Sequence, residues 1–315
     1  MPVPSKFQCL TTIRDFIRWG TSEFSRRQLV YGHGFDNAFD EARYLTLYAL
    51  ALPLDCPESW FDASLTVEER ESVLNLLQQR AETRKPAAYL THESWFYGLS
   101  FYVDERVLIP RSPIAELIGN GFEPWIDSGA VHRILDLCCG SGCIAIASQY
   151  AFPEAEVYAA DVSAQALEVA AINLQRHDLE TQITLVESDL FDRLNPPEFD
   201  VIACNPPYVD AEDMAALPDE FRHEPELGLA AGDDGLQLVE RILADAVNYL
   251  NDRGILILEV GNSQPALEQK FDFLPMTWLE FEFGGSGVCC IQAQDLKQQQ
   301  AAISAIASRL PVNNL

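Results

Sequence analysis

The chain has 315 residues, 48% of them hydrophobic and 22% charged, the composition of an ordinary globular protein with room for two domains and a large core. Its charge is not ordinary: 48 acidic against 21 basic residues give a net −27. Such a surface repels phosphate backbones and attracts basic partners with a strength that falls as salt rises, and no Lys/Arg cluster supplies a duplex-binding footprint.

The first ~85 residues read as helical. Leu10, Ile13, Ile17 and Phe24 keep a helical stripe, and Ala42 to Leu52 forms a second, strongly apolar helix. Thr66-Val67-Glu68-Glu69 matches a capping box before a third helix carrying Val73, Leu74 and Leu77. The aromatic run Trp95 to Val103, centred on Gly98, predicts a β-hairpin between two domains, and Pro110-Arg111-Ser112-Pro113 starts a helix through about Asn120.

From Arg133 strands and helices alternate. Strands are expected at Ile134–Leu137, Glu156–Ala160, Ile183–Glu187, Phe199–Cys204 and Gly254–Val260, with helices near 143–151, 164–177 and 234–250. This order argues a parallel sheet with helices on both faces. Trp278–Phe283 and Val288–Ala293 around Gly284-Gly285-Ser286-Gly287 read as a closing antiparallel hairpin. The Gln/Ala-rich tail after Leu296 reads as a fraying surface helix. The expected division is a helical substrate-recognition domain over 1–87, with Gly32–Ala42 as its candidate for substrate choice, a hairpin linker over 88–111, an α/β domain over 112–297 and a tail over 298–315.

Eight cysteines (9, 56, 138, 139, 143, 204, 289, 290) include no C-x-x-C pair and read as buried small hydrophobes in a reducing cytoplasm. Met1-Pro2-Val3-Pro4-Ser5 is no signal peptide, and the longest apolar stretch, Tyr44 to Leu54, is too short to span a bilayer. A cytoplasmic protein without a metal site or membrane contact is expected; composition leaves the oligomeric state open.

Two motifs carry chemistry. Asp136-Leu137-Cys138-Cys139-Gly140-Ser141-Gly142 places a tight glycine turn between a strand and a helix, where backbone N–H groups face a ligand. Asp161 ends the next strand, placed to accept two ribose hydroxyls. Asp189 ends the third, placed to reach an adenine amino group while Leu190 covers the ring. Asp161 also suits a helix cap, although Ser163 already fills that place, and Asp189 also suits a plain turn. Cys138 stands where glycine is usual, so ordinary strand-like dihedrals are expected there.

Asn205-Pro206-Pro207-Tyr208 then follows a buried strand. The prolines remove donors and fix φ, leaving carbonyls free to accept. A planar NH2 group fits: the Asn205 side-chain oxygen and the Pro206 carbonyl take its two hydrogens and Tyr208 packs on its face. The nitrogen lone pair then points at an electrophile.

This motif order resembles that of class I, Rossmann-like methyltransferases, with a mostly parallel sheet, a C-terminal antiparallel hairpin and here a smaller N-terminal helical domain. Arg84-Lys85-Pro86-Ala87-Ala88-Tyr89-Leu90, Leu108-Ile109-Pro110-Arg111, Asn205-Pro206-Pro207-Tyr208 and His223-Glu224-Pro225 resemble the landmarks of the bacterial protein-glutamine methyltransferases, in order, along almost the whole chain. Release-factor enzymes of that family look like Ile-Pro-Arg-Pro with a Thr-Glu pair; here the run is Ile109-Pro110-Arg111-Ser112-Pro113-Ile114-Ala115-Glu116. Gly32-His33-Gly34-Phe35-Asp36-Asn37-Ala38 with Asp40-Glu41-Ala42 resembles the PrmB type, which modifies large-subunit ribosomal protein L-three.

The resemblance implies S-adenosyl-L-methionine as cofactor, held by Asp136, Cys138, Cys139, Gly140, Ser141, Gly142, Asp161, Asp189, Leu190 and Asn205. A basic ribosomal protein is the implied partner, with its glutamine amide seated by Asn205, Pro206, Pro207 and Tyr208. No general base is needed, because the methylated amide nitrogen loses its proton readily to water. None of the five histidines (33, 92, 132, 177, 223) has a required role, and His223 reads as structural. Alternatives are a release-factor glutamine methyltransferase, a DNA adenine amino-methyltransferase, which the −27 charge disfavours, and a non-enzymatic adenosylmethionine-binding assembly factor, which an intact Asn205 pocket disfavours.

Overall fold

The computed structural model describes residues 7–195 and 198–308. The reading of Met1 to Ser5 and the last seven residues of the expected tail lie outside the described residues. Two compact units emerge: one takes the chain to Ser94 together with Pro218–His223, the other Trp95–Leu217 and Glu224–Leu315. The first unit therefore runs past residue 87 and includes six residues from far downstream.

In the first unit, α1 (Ile13–Arg26) starts in a capping box, Thr12 Oγ1 accepting from Asp15 N while the Asp15 carboxylate accepts from Thr12 N. α2 (Ala38–Ala49) begins four residues before the expected start, because Asn37 Oδ1 accepts from the N–H groups of Phe39 and Asp40. α3 (Val67–Thr83) has the capping box expected at Thr66 and Glu69. A short α4 (Ala87–Thr91) follows. Gly20 lets the first three helices close up, since a Cβ there would lie 3.1 Å from both Ala42 and Leu77. Phe16, Phe24, Leu45, Val73 and Leu77 fill the core between them.

A buried charge network crosses this unit. Arg80, 1% exposed, donates to Glu41 at 3.0 Å, and Glu220 of the downstream segment accepts from Arg84 at 2.8 Å and from Val30 N at 2.9 Å. Gly32 has no Cβ to meet the Phe221 ring, and His33 lies 4.2 Å from that ring between centroids. His223 Nε2 lies 3.0 Å from the Thr83 carbonyl.

A short hairpin, β1 (Ser94–Phe96) and β2 (Leu99–Phe101), starts on the last residue of the first unit and otherwise belongs to the second, turning at Tyr97-Gly98, both at positive φ. It is shorter than the 88–111 span expected. After α5 (Ile114–Gly119) come β3 (Arg133–Leu137), α6 (Cys143–Ala151), β4 (Glu156–Asp161), α7 (Ala164–Arg176), β5 (Ile183–Glu187) and β6 (Phe199–Cys204). They are followed by α8 (Ala211–Ala216), α9 (Gln237–Asp245), β7 (Leu250–Glu259), α10 (Gln264–Lys270), β8 (Thr277–Trp278), β9 (Val288–Gln292) and α11 (Ala293–Ala307).

The seven strands lie in the order β5-β4-β3-β6-β7-β9-β8, with the first five parallel and β9 antiparallel to both of its neighbours, β7 and β8. Strand alternation splits the apolar residues: Ile134, Val201 and Ile257 face one core, Leu135, Ile202 and Leu256 the other. This is the class I methyltransferase architecture.

Two expectations are corrected. The hairpin strand is Thr277–Trp278 alone, because Glu282 and Phe283 give their N–H groups to the Glu116 carboxylate and not to a strand. The tail expected beyond 298 is not a segment of its own over its described length. It continues α11, which buries Leu296 and Ile303 fully against the second core, each worth about 1.5–3 kcal/mol.

Candidate active site

Chain order reverses between β3 and β6, which leaves a crevice beyond their carboxyl ends. A cavity of about 300 Å³ occupies it.

One wall is the loop after β3. Cys138 lies at φ 62, Gly140 at 52 and Gly142 at 76. The strand-like dihedrals expected for Cys138 are wrong: the loop turns left-handed there as glycine would, at a cost of about 1–2 kcal/mol. What enforces the turn is the next bond, Cys139 N donating to the Ala160 carbonyl at 3.0 Å. Gly140 N donates to Asp161 Oδ2, and Ser163 N to Asp161 Oδ1, both at 2.9 Å. Burial raises the Asp161 pKa in spite of these donors. Ser163, not Asp161, caps α7, accepting from Ala166 N.

Two residues expected on the cofactor do not reach the cavity wall. Asp136 is fully buried beneath the loop. One of its oxygens accepts from Ala145 N at 2.9 Å and the other has no partner among the described residues. Burial pushes its pKa up to about 7, with Asp161 adding to the effect. Gly142 faces α7 instead, where a Cβ would lie 3.3 Å from that of Ala170. The remaining loop residues Cys138, Cys139, Gly140 and Ser141 line the cavity, as do Asp161, Asp189 and Leu190. Asp189 forms an ion pair with Arg241 of α9 at 2.9 Å.

A second part of the lining is Asn205, Pro206, Pro207 and Tyr208, which begin where β6 ends beside β3. β6 is buried along its whole length and pairs with β3 and β7, so the turn springs from the middle of the sheet. Both prolines are buried, and Asn205 is half-buried. The sequence reading missed what supports this wall. Tyr208 Oη donates to Glu259, the buried last residue of β7, which also accepts from Ser112 Oγ. Arg111 clamps the buried Glu224. A strand-end acid was the signal that found Asp161 and Asp189, and applied to β7 it also finds Glu259.

The Methyltransferase small domain family matches residues 124–224. The ribosomal protein uL3 glutamine methyltransferase of Neisseria gonorrhoeae is 50% identical over 281 residues, covering 89% of this chain and 93% of its own. That of Neisseria meningitidis serogroup A is also 50% identical, over 89% of this chain and 92% of its own. This chain belongs to the ribosomal protein uL3 glutamine methyltransferase family. It is a methyltransferase, and the Asn205 turn and the loop before Asp161 both line its cavity. A more distant likeness is to the hMettl16 catalytic domain, 19% identical, covering 70% of this chain and 79% of its own at a TM-score of 0.49.

Proposed function

We propose that this chain methylates the side-chain amide nitrogen of a glutamine in ribosomal protein uL3, with S-adenosylmethionine as methyl donor. The observation that carries the reading is the convergence of the Asn205–Tyr208 turn and the Asp161-bearing glycine loop on one cavity. Two relatives of the same length class bear that activity in their names.

The cavity suits the cofactor. Each Asp161 oxygen accepts one backbone N–H and keeps a lone pair for a ribose hydroxyl. A Cβ built on Gly140 would meet nothing within 4 Å, so ligand atoms can approach the backbone there. Leu190 and Val162 offer apolar cover, and Asp189 a carboxylate for an amino group. When bound, the cofactor supplies an electrophilic methyl group.

Everything else is done by the chain. Asn205 Oδ1 and the Pro206 carbonyl accept the two amide hydrogens of the incoming glutamine, and Tyr208 lies on its face. An amide nitrogen is a poor nucleophile because its lone pair is delocalised. Acceptors fixed where positive charge grows on nitrogen favour the transition state over the ground state. The buried prolines keep those acceptors from relaxing. A ribosomal-protein substrate supports a cytoplasmic location.

Net charge supports a basic partner over a nucleic acid. The second unit carries 33 acidic against 10 basic residues, hence −23 of the total −27. The test is incubation with methyl-labelled cofactor and, in parallel, total ribosomal proteins, a release factor or duplex DNA, then mass mapping of the label. Label on a uL3 glutamine is expected. Label on a release factor or on DNA adenine, or cofactor binding without transfer, overturns the reading.

A further inference from the structure

Glu259 ends β7 at 5% exposure, and each of its oxygens has its own donor. Ser112 Oγ donates to Oε2 at 2.5 Å and Tyr208 Oη to Oε1 at 3.3 Å. Burial raises the Glu259 pKa, while the two hydroxyls and Arg111 act the other way. When Glu259 is ionised it only accepts, and the Tyr208 hydrogen is then committed to it.

Tyr208 is held on two further sides. Its ring rests on Gly261, where a Cβ would come 2.5 Å from Cε2 and 2.9 Å from Cζ of the ring. Ser263 Oγ donates to its carbonyl at 2.8 Å. Ser112 is anchored too: its neighbour Arg111 gives two hydrogen bonds to Glu224, and Glu224 accepts a third from Ile109 N. Ser112 also stands where Ile-Pro-Arg-Pro sequences have proline, which has no hydroxyl to give.

We propose that Ser112 and Glu259 are positioning residues for methyl transfer, acting through Tyr208. The chain Ser112–Glu259–Tyr208 fixes the aromatic wall of the amide pocket and directs the phenol hydrogen toward the carboxylate. That polarisation makes the ring face a better neighbour for a nitrogen gaining positive charge. The effect belongs to the transition state, so it changes kcat and leaves cofactor affinity alone. The inference rests on the assignment of Asn205–Tyr208 as the amide pocket.

The experiment uses the full-length chain with uL3 and labelled cofactor, and compares Tyr208→Phe, Glu259→Gln, their double variant, Ser112→Ala and Ser112→Thr. Steady-state transfer, cofactor Kd and thermal unfolding are measured for each. Tyr208→Phe and Glu259→Gln should each lower kcat roughly tenfold, the scale of one hydrogen bond to a charged group, with Kd unchanged. The double variant should be no slower than Glu259→Gln, because the two residues act as one unit. Ser112→Thr should keep most of the rate that Ser112→Ala loses. Wild-type kcat should fall on the acid side as Glu259 takes a proton, and Glu259→Gln should lack that limb. Losses that multiply in the double variant, or a Glu259→Gln enzyme with parental kcat, overturn the inference. Tyr208→Phe and Ser112→Ala each remove a single oxygen, so the comparison stands even if Glu259→Gln unfolds. A wild-type enzyme inactive on uL3 overturns the proposed function itself, and an active one with unaffected variants overturns only this inference.

Discussion

Arg111 holds Glu224 with both guanidinium arms, at 2.5 and 2.8 Å, across 113 positions of sequence. The Glu224 side chain is fully buried while Arg111 is 31% exposed. This pair ties the two sequence landmarks Ile109-Pro110-Arg111 and His223-Glu224-Pro225 to each other. Arg111→Ala should destabilise the fold by about 3 kcal/mol, the lower end for stripping a partner from a buried charge. Arg111→Lys should recover little, since a point charge cannot make the paired contact. Urea unfolding of the three proteins decides it; equal midpoints would mean the pair adds nothing.

Asn205→Ala should leave cofactor affinity near the parental value and lower turnover by about a hundredfold, the scale seen when one oriented polar group is removed from a reacting centre. Asn205 lines the cavity just past the end of β6, and the contact proposed for its side-chain oxygen is with the acceptor amide. Calorimetry and steady-state assays separate the two effects. A near-parental kcat would remove Asn205 from the reaction.

Asp161→Ala should act in the opposite way, weakening cofactor binding by about 1.5–3 kcal/mol as hydrogen bonds to a charged group are lost. The structure adds a second consequence. Gly140 N and Ser163 N lose their acceptor, so the loop should also loosen. Hydrogen exchange at Gly140 should speed up in Asp161→Ala and much less in Asp161→Asn. Unchanged cofactor Kd in both variants would leave Asp161 a purely structural loop tie.

The sheet was legible because its apolar runs end in glycine, acid or proline, so strand ends announced themselves. The walls of the cavity were legible for the same reason. What the sequence hid were relations between distant residues: Ser112 with Glu259, Arg111 with Glu224, Glu220 with Arg84. Nothing in local spacing pairs these. Cys138 was misread from the opposite error, a local rule taken as binding where the bonds of Cys139 and Asp161 override it. Asp136 was misread because a strand-end acid one residue short of the edge points into the core.

Charge segregation predicts salt-dependent substrate binding. With −23 on the second unit, raising salt from about 50 to 500 mM shortens the Debye length from roughly 14 to 4 Å and should weaken uL3 association. Cofactor affinity should change much less, because its contacts are short and partly buried. Deleting residues 1–85 is not a clean probe of substrate choice: it would strip Glu220 of Arg80, Arg84 and Val30. Phe39, 51% exposed beside the Gly32–Ala38 run, is the better substitution. Phe39→Ser should raise KM for uL3 without changing cofactor Kd, and an unchanged KM would exclude that face from substrate choice.

Asp136 should make stability fall as pH rises from 3.8 to about 7. Its folded pKa is about 7 against an ordinary 3.8, because burial disfavours the charge more than Ala145 N can offset. A carboxyl that binds its proton more tightly when folded contributes stability that is complete below about 3.8 and is lost as pH rises through about 7. The full span is of order 4 kcal/mol. Asp136→Asn keeps an oxygen for Ala145 N and puts an uncharged group at the oxygen that has no partner among the described residues. The variant should therefore be more stable than the parent at pH 8, with the gap closing toward pH 5. A cationic cofactor above the loop favours the ionised form, so parental cofactor affinity should rise between pH 6 and 8 and that of Asp136→Asn should stay flatter. Parallel urea-unfolding curves for parent and variant across that range would show that Asp136 does not titrate there.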